Sequence, residues 1–224
     1  MRVLYLSEAD VERLLTMEAA LAAVEEAFRQ EAAGRVENQP RQRLSVPGGV
    51  LLHYMAAADS SLGYFGMKIY TSSRTGTRFL VPLYRADSGE LVALLEADYL
   101  GRMRTGAASG VATKYMARAE AARVGVIGCG HQAPTQLLAL ARVRKLGAVR
   151  AYSPTAARRA AFAERMSAEL GVRVEAVDTA EAAVREADIV VTITSARAPV
   201  LEGAWLAPGT HVNAAGVNRA QCRE

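Results

Sequence analysis

From Arg123 onwards the chain alternates short apolar runs with longer amphipathic stretches, and no other feature limits its folding choices as strongly. Arg123-Val124-Gly125-Val126-Ile127 reads as a short buried strand. Helices are expected over 132–144, 155–170 and 180–187, and further strands over 149–152, 172–175, 189–194 and 209–214. Successive strands separated by helices cannot pair as hairpins. They need crossover connections, which give a parallel sheet covered by helices on its faces.

The first of these turns carries Gly128-Cys129-Gly130-His131-Gln132-Ala133, a match to G-x-G-x-x-G/A. Alone the pattern is weak. Here it follows a strand directly and opens a helix inside a βαβ unit of about 30 residues, the context that gives it meaning. Gly128 permits the tight turn, Gly130 lets the backbone approach a pyrophosphate, and the small Ala133 allows the helix to pack closely on the sheet. The free amides at the helix start offer a positive dipole end to phosphate. His131 and Gln132 sit at that start, and Thr194 and Ser195 lie at the end of a later strand of the same sheet. A Rossmann-type dinucleotide site is therefore expected from these residues.

The choice of dinucleotide turns on an absence. NAD sites place Asp or Glu about 20 residues beyond the glycines, on the ribose 2′-hydroxyl. From His131 to Ala163 this chain has no acidic residue, whereas Arg150, Arg158 and Arg159 lie nearby. Ser153, Thr155 and Arg158 can contact a 2′-phosphate, so NADP is expected, with NAD open.

The first half reads differently. Ser7-Glu8-Ala9-Asp10 is a capped helix start, and Thr16 caps a second helix that stops at Gly34. Strands are expected over 43–46, 50–55 and 65–70, and over 79–84 and 91–96 on either side of the turn Asp87-Ser88-Gly89. Asp98 reads as the N-cap of a long helix reaching about Ala117. The expectation is thus an α/β chain: an α+β substrate and dimerisation domain over 1–117, then a nucleotide-binding domain over 118–224.

Bulk properties remove other classes. The pI near 9.3 reflects a formal charge of only +4, and no segment clusters Lys and Arg with interleaved aromatics, so nucleic acid is not an expected partner. No apolar run approaches the roughly 18 residues of a membrane helix. Two cysteines, Cys129 and Cys222, imply no disulfide framework and fit a cytoplasmic location. His53, His131 and His211 are isolated, without metal-ligand spacing. Cys129, between two loop glycines, is a packing residue rather than a nucleophile, and Trp205 reads as core.

Four stretches together resemble the ornithine cyclodeaminase/μ-crystallin family across essentially the whole chain. They are Gly66-Met67-Lys68, Arg104-Thr105-Gly106-Ala107, the loop around Gly128, and the run from Val200 to Gly216. The resemblance implies homodimers that pair through N-terminal sheets and use NAD or NADP on small amino or imino acids. It further implies that Arg41, with Arg43 as a rival, and Arg104 hold a substrate carboxylate beside Thr105, and that Lys68 is the catalytic acid or base. Those residue types suit the roles: Arg recognises carboxylates bidentately, and a lysine in apolar surroundings can exchange protons at working pH.

Two departures follow from the same comparison. Cyclodeaminases place an aspartate after the Gly216 strand, where this chain has Asn218, and a carboxamide cannot take up a proton at neutral pH. The expected activity is therefore imine reduction or amino-acid dehydrogenation, with ornithine cyclodeamination and non-catalytic dinucleotide-dependent binding as alternatives. The family's chain also continues beyond the point where this one stops, so a truncated nucleotide-binding domain is expected.

Overall fold

The computed structural model describes residues 2–219 and 222–223, with 218, 219, 222 and 223 described as backbone only. The chain divides into two compact units, Met1–Arg102 and Met103–Glu224. The first contains β1 (Leu4–Leu6), α1 (Glu8–Leu14), α2 (Met17–Ala32), β2 (Val36–Val46), β3 (Val50–Asp59), β4 (Tyr64–Ser73), β5 (Gly76–Arg85) and β6 (Leu91–Glu96). Its strands form one sheet in the order β1-β6-β5-β4-β3-β2, antiparallel except for the parallel pair β1 and β6.

Local chemistry sets several of these boundaries. Ser7 and Asp10 form the reciprocal capping box at the start of α1, and the Thr16 hydroxyl accepts the Ala19 amide at the start of α2. Both satisfy amides that a helix start leaves unpaired. The strands run longer than their apolar cores suggest. β2 begins at Val36 rather than Arg43, and its polar first half is carried by pairing with β3, from Val36↔Asp59 onwards. β2 is an edge strand, where polar side chains and Pro40 are tolerated because one side of the ladder faces solvent.

The long helix α3 (Asp98–Met116) starts where expected but with a different cap. Asp98 is the first helical residue, and the groups that receive the Asp98 and Tyr99 amides are the two oxygens of the Glu8 carboxylate. The Glu8 amide in turn donates to the Glu96 carboxylate at 2.8 Å. The cap therefore comes from a residue ninety positions earlier, which no local pattern announces.

In the second unit α3 is followed by β7 (Arg123–Ile127), α4 (Ala133–Val143), β8 (Ala148–Tyr152), α5 (Ala156–Leu170), β9 (Val174–Ala176), α6 (Ala180–Val184), β10 (Ile189–Thr192) and β11 (His211–Ala214). The strands are all parallel, in the order β11-β10-β7-β8-β9. Val124, Val126, Val149 and Val191 pack against Leu137 and Leu140 of α4 and Met166 of α5. Ile127 and Val190 pack with Val184 and Trp205 on a second cluster. The expected doubly wound sheet is present.

Contacts at two places tie α3 to this unit. A β-carbon on Gly106 would stand 2.2 Å from the Thr135 carbonyl oxygen, so α3 and α4 meet at a distance only glycine allows. At the other end, Arg144 donates to the carbonyls of Thr113 and Ala117, both at 2.9 Å, and the Asn213 amide donates to the Thr113 hydroxyl at 2.9 Å.

Asp188 closes the opposite end of the sheet. Its carboxylate accepts the Ala122 and Arg123 amides at 3.1 and 2.9 Å and the Arg118 and Arg123 guanidinium groups at 2.9 and 3.2 Å. Burial works to raise its pKa, but the hydrogen bonds from Arg123 and Ala122, with the Arg123 charge, outweigh it and hold the carboxyl well below the ordinary carboxylate range. A depressed folded-state pKa stabilises the fold in full above the unfolded-state value and loses that contribution as pH falls through the folded one. Asp188→Asn should cost about 1–3 kcal/mol at neutral pH, because part-buried donors lose a charged acceptor. Urea denaturation should show the gap between wild type and variant shrinking below about pH 4; a gap independent of pH would remove the carboxylate from this role.

Candidate cofactor and active site

The strand order reverses between β7 and β10: the chain steps outward through β8 and β9, then returns to the other side of β7. In open parallel sheets such a switch point leaves a crevice at the carboxyl ends of the strands. Here the crevice is a cleft of about 650 Å³, lined from β7 by Ile127 and the glycine loop, from β8 by Tyr152, Ser153 and Pro154, and from beyond β10 and β11 by Ile193, Thr194 and Gly216. Thr155, Arg158 and Ser195 also stand on its wall, whereas Ala133 does not line it.

Within the loop the two glycines do different work. Gly128 has φ +111°, and a β-carbon there would stand 2.4 Å from the Ile193 carbonyl oxygen. Its amide donates to the Tyr152 carbonyl at 2.8 Å. Gly128 thus lets the strand ends close together. Gly130 is exposed, and a β-carbon there would meet no protein atom within 4 Å. Its missing side chain leaves space that the protein itself does not fill.

The start of α4 is chemically open. Gln132, in the N-cap position, makes no side-chain cap, and its Oε1 is buried without a hydrogen-bond partner. Helix-start amides beside an open glycine are the donors and the space that a phosphate group requires. Ala133 is fully buried against the sheet, and His131 is exposed at the loop's end. These residues fit a dinucleotide. Cys129 does not join them chemically: burial pushes its thiol up to about 11, despite Arg158 and Arg159, and its Sγ lies 3.5 Å from the Tyr152 carbonyl.

Of the arginines near β8, one is left for the cleft. Arg150 pairs with Glu175 at 3.8 Å. Arg159 donates to the Ser153 carbonyl at 3.2 Å and pairs with Asp178. Arg158 lines the cleft, and among the described residues the lining contains no Asp or Glu.

The substrate-handling candidates of the first unit meet on one face of its sheet. Register runs Gln39↔Ala56 and Gln42↔Tyr54, so Pro40 and Arg41 together oppose Met55, and Met55 opposes Lys68. This bulge places Arg41 on the same face as Lys68, since directly opposed residues share a face. Both cations lie near the Tyr70 ring, with the Arg41 Cζ 5.8 Å and the Lys68 Nζ 5.3 Å from its centroid. Arg43 opposes His53, one pleat further along. Arg104, exposed, and Thr105, half-buried, lie on α3 within the second unit. The Asn218 side chain lies outside the described residues.

The profile of the ornithine cyclodeaminase/mu-crystallin family matches residues 2–224. This chain belongs to that family. It is 37% identical to the alanine dehydrogenase of Archaeoglobus fulgidus over 226 residues, covering 97% of this chain and 68% of that protein. Among solved structures it is similar to Thermococcus litoralis Δ1-pyrroline-2-carboxylate reductase in complex with NADH and L-proline. The TM-score is 0.90 and the identity 33%, over 96% of this chain and 69% of that one. It is also similar to an archaeal alanine dehydrogenase dimer with bound NAD, with TM-score 0.89 and 36% identity over 96% and 67% of the two chains.

Tyr70, Phe79 and His53 around Lys68 escaped sequence reading because they look like ordinary strand aromatics; the i, i+2 spacing of Lys68 and Tyr70 was the available signal. The glycine loop supplies a direct test. Gly130→Val should leave the melting temperature within about 2 °C, since a β-carbon there meets no protein atom within 4 Å. It should weaken NADH binding at least about tenfold, a cost near 1.4 kcal/mol, read by quenching or enhancement of nucleotide fluorescence. Undiminished binding would exclude the loop as the phosphate cradle.

Proposed function

We propose that this chain is a nicotinamide-dinucleotide-dependent reductase of small imino acids, equally an amino-acid dehydrogenase in the reverse direction. The observation that carries the reading is the open glycine loop at the sheet's switch point, in a chain similar to a pyrroline-carboxylate reductase and an alanine dehydrogenase. When bound, the reduced nicotinamide supplies a hydride to the imine carbon. The Lys68 ammonium gives a proton to the imine nitrogen, completing the amine. Arg41 and Arg104 hold the substrate carboxylate, Arg through a planar fork that matches it, with Thr105 beside them and Asn218 at the strand end beyond Gly216.

The finer cofactor reading is NADP. A cleft wall without carboxylates, with Arg158, Ser153 and Thr155 at the end of β8, suits a 2′-phosphate better than a bare ribose. The related structures hold NADH and NAD, so the preference is a property proposed for this chain.

A homodimer accompanies this reading. Leu44, Val46, Tyr54, Phe65 and Leu80 are exposed apolar residues on the sheet face opposite Lys68. Contiguous exposed apolar surface of this kind marks an interaction site, and the similar archaeal alanine dehydrogenase is a dimer. Among the described residues no helix is long and apolar enough to cross a membrane.

The deciding assay follows NADPH and NADH absorbance with cyclic and linear imino acids, and with ornithine. Oxidation of nucleotide by an imino acid is expected, faster with NADPH, and Arg158→Ala should erase most of that preference, about tenfold for a charge-assisted contact. Lys68→Ala should abolish turnover with nucleotide binding intact. Proline from ornithine without net nucleotide oxidation would select cyclodeamination instead, and binding without turnover a non-catalytic role.

A further inference from the structure

The rings around Lys68 have no part in the reaction as written above. Tyr70 follows Lys68 by two residues on β4 and so shares its face. The register His53↔Tyr70↔Phe79 runs straight across three strands. The Lys68 Nζ lies 4.6 Å from the Phe79 centroid and 5.3 Å from that of Tyr70, and the Arg41 Cζ lies 5.8 Å from Tyr70. All three distances fall inside the roughly 6 Å over which a ring face attracts a cation. On α3, a β-carbon at Gly101 would stand 3.7 Å from the same Nζ.

Tyr70 is itself held. His53 stacks on it at 4.4 Å with an interplanar angle of 6°, and Phe79 leans against it at 4.9 Å and 36°. His53 is 5% exposed, and its Nε2 lies 3.3 Å from the Ser72 hydroxyl. The ring is therefore a rigid surface. Lysine and arginine are the opposite, with long stems that surrender much rotamer freedom when fixed. A strand aromatic serving only as core filler has no need to present its ring to two cations.

We propose that Tyr70, braced by His53 and Phe79, is a positioning residue that sets the separation of the Lys68 ammonium from the Arg41 guanidinium. The inference rests on reading those two groups as proton donor and carboxylate anchor. Its consequence is that the substrate's carboxylate and imine nitrogen meet their partners at a spacing fixed by one ring.

The test uses the full chain with Tyr70→Phe and Tyr70→Leu. Tyr70→Phe keeps the ring face and should keep kcat within about threefold. Tyr70→Leu should lower kcat about 10- to 100-fold, the usual cost of misplacing a reacting group. It should also raise KM for the imino acid while leaving KM for the nucleotide unchanged, a split that general loosening would not give. A second readout needs no turnover: labelling of Lys68 by an amine-reactive ester, measured by peptide mass spectrometry against exposed Lys145. It should rise several-fold in Tyr70→Leu and stay level in Tyr70→Phe. Should Tyr70→Leu not fold, Phe79→Leu removes the other ring face and serves the same comparison. Unchanged Lys68 labelling and kcat in the leucine variants overturn the proposal. A wild type without turnover but with the labelling contrast intact would overturn the reductase reading and leave the positioning role standing.

Discussion

The cleft of the second unit depends on a carboxylate at the far end of the sheet. Asp188 gathers the Ala122 and Arg123 amides and two guanidinium groups at the point where β7 and β10 begin. Its own amide donates to the Arg123 carbonyl, and its carbonyl accepts the His211 amide at the start of β11. Three parallel strands are thus aligned at their first residues. In a parallel ladder the alignment of the first pair fixes that of the last, here Thr192 with Ile127 and Ala214. The residues beyond those ends, Gly128, Ile193 and Ala215, line the cleft. The carboxylate thus braces the start of strands whose far ends open on the cleft.

Sequence pattern reached this unit well because its constraints are local. Short valine-rich strands between helices admit few topologies, and the glycine loop identifies its own place in the fold. The same was true of the capped starts of α1 and α2, where cap and amide are three residues apart. It failed where partners are remote. The three residues of β1 are too few to show a period, and they become a strand only because β6 offers Ala93 to Leu95 as parallel partners. Asp98 had the right chemistry to cap α3, but Glu8 supplies the carboxylate instead.

The candidate site shows the same division. Lys68 and Arg41 could be named from motif resemblance, but the choice between Arg41 and Arg43 could not be made from spacing. The register across three strands brings both arginines to the face of Lys68, Arg43 through His53 and Tyr70, and it is Arg41 whose guanidinium lies 5.8 Å from the ring that Lys68 also approaches. Near β8 the surplus of arginines was legible, but not which of them was already engaged. Glu175 and Asp178 lie on or after a different strand, and their pairing with Arg150 and Arg159 is a matter of packing.

The remote cap on α3 also bears on how the protein is made. β1 and Glu8 leave the ribosome early, yet their partners, β6 and the start of α3, follow some ninety residues later. Until then Leu4–Leu6 has no ladder to join, and the sheet of the first unit remains open on that side. Contacts this distant in sequence form slowly, because the loop between them must close first. β7 and β8, by contrast, have their partners within one helix of each other. During synthesis the first unit is the one that waits, and a nascent chain halted before Glu96 would expose an unfinished sheet edge, the kind of surface that chaperones shield and neighbouring chains can join.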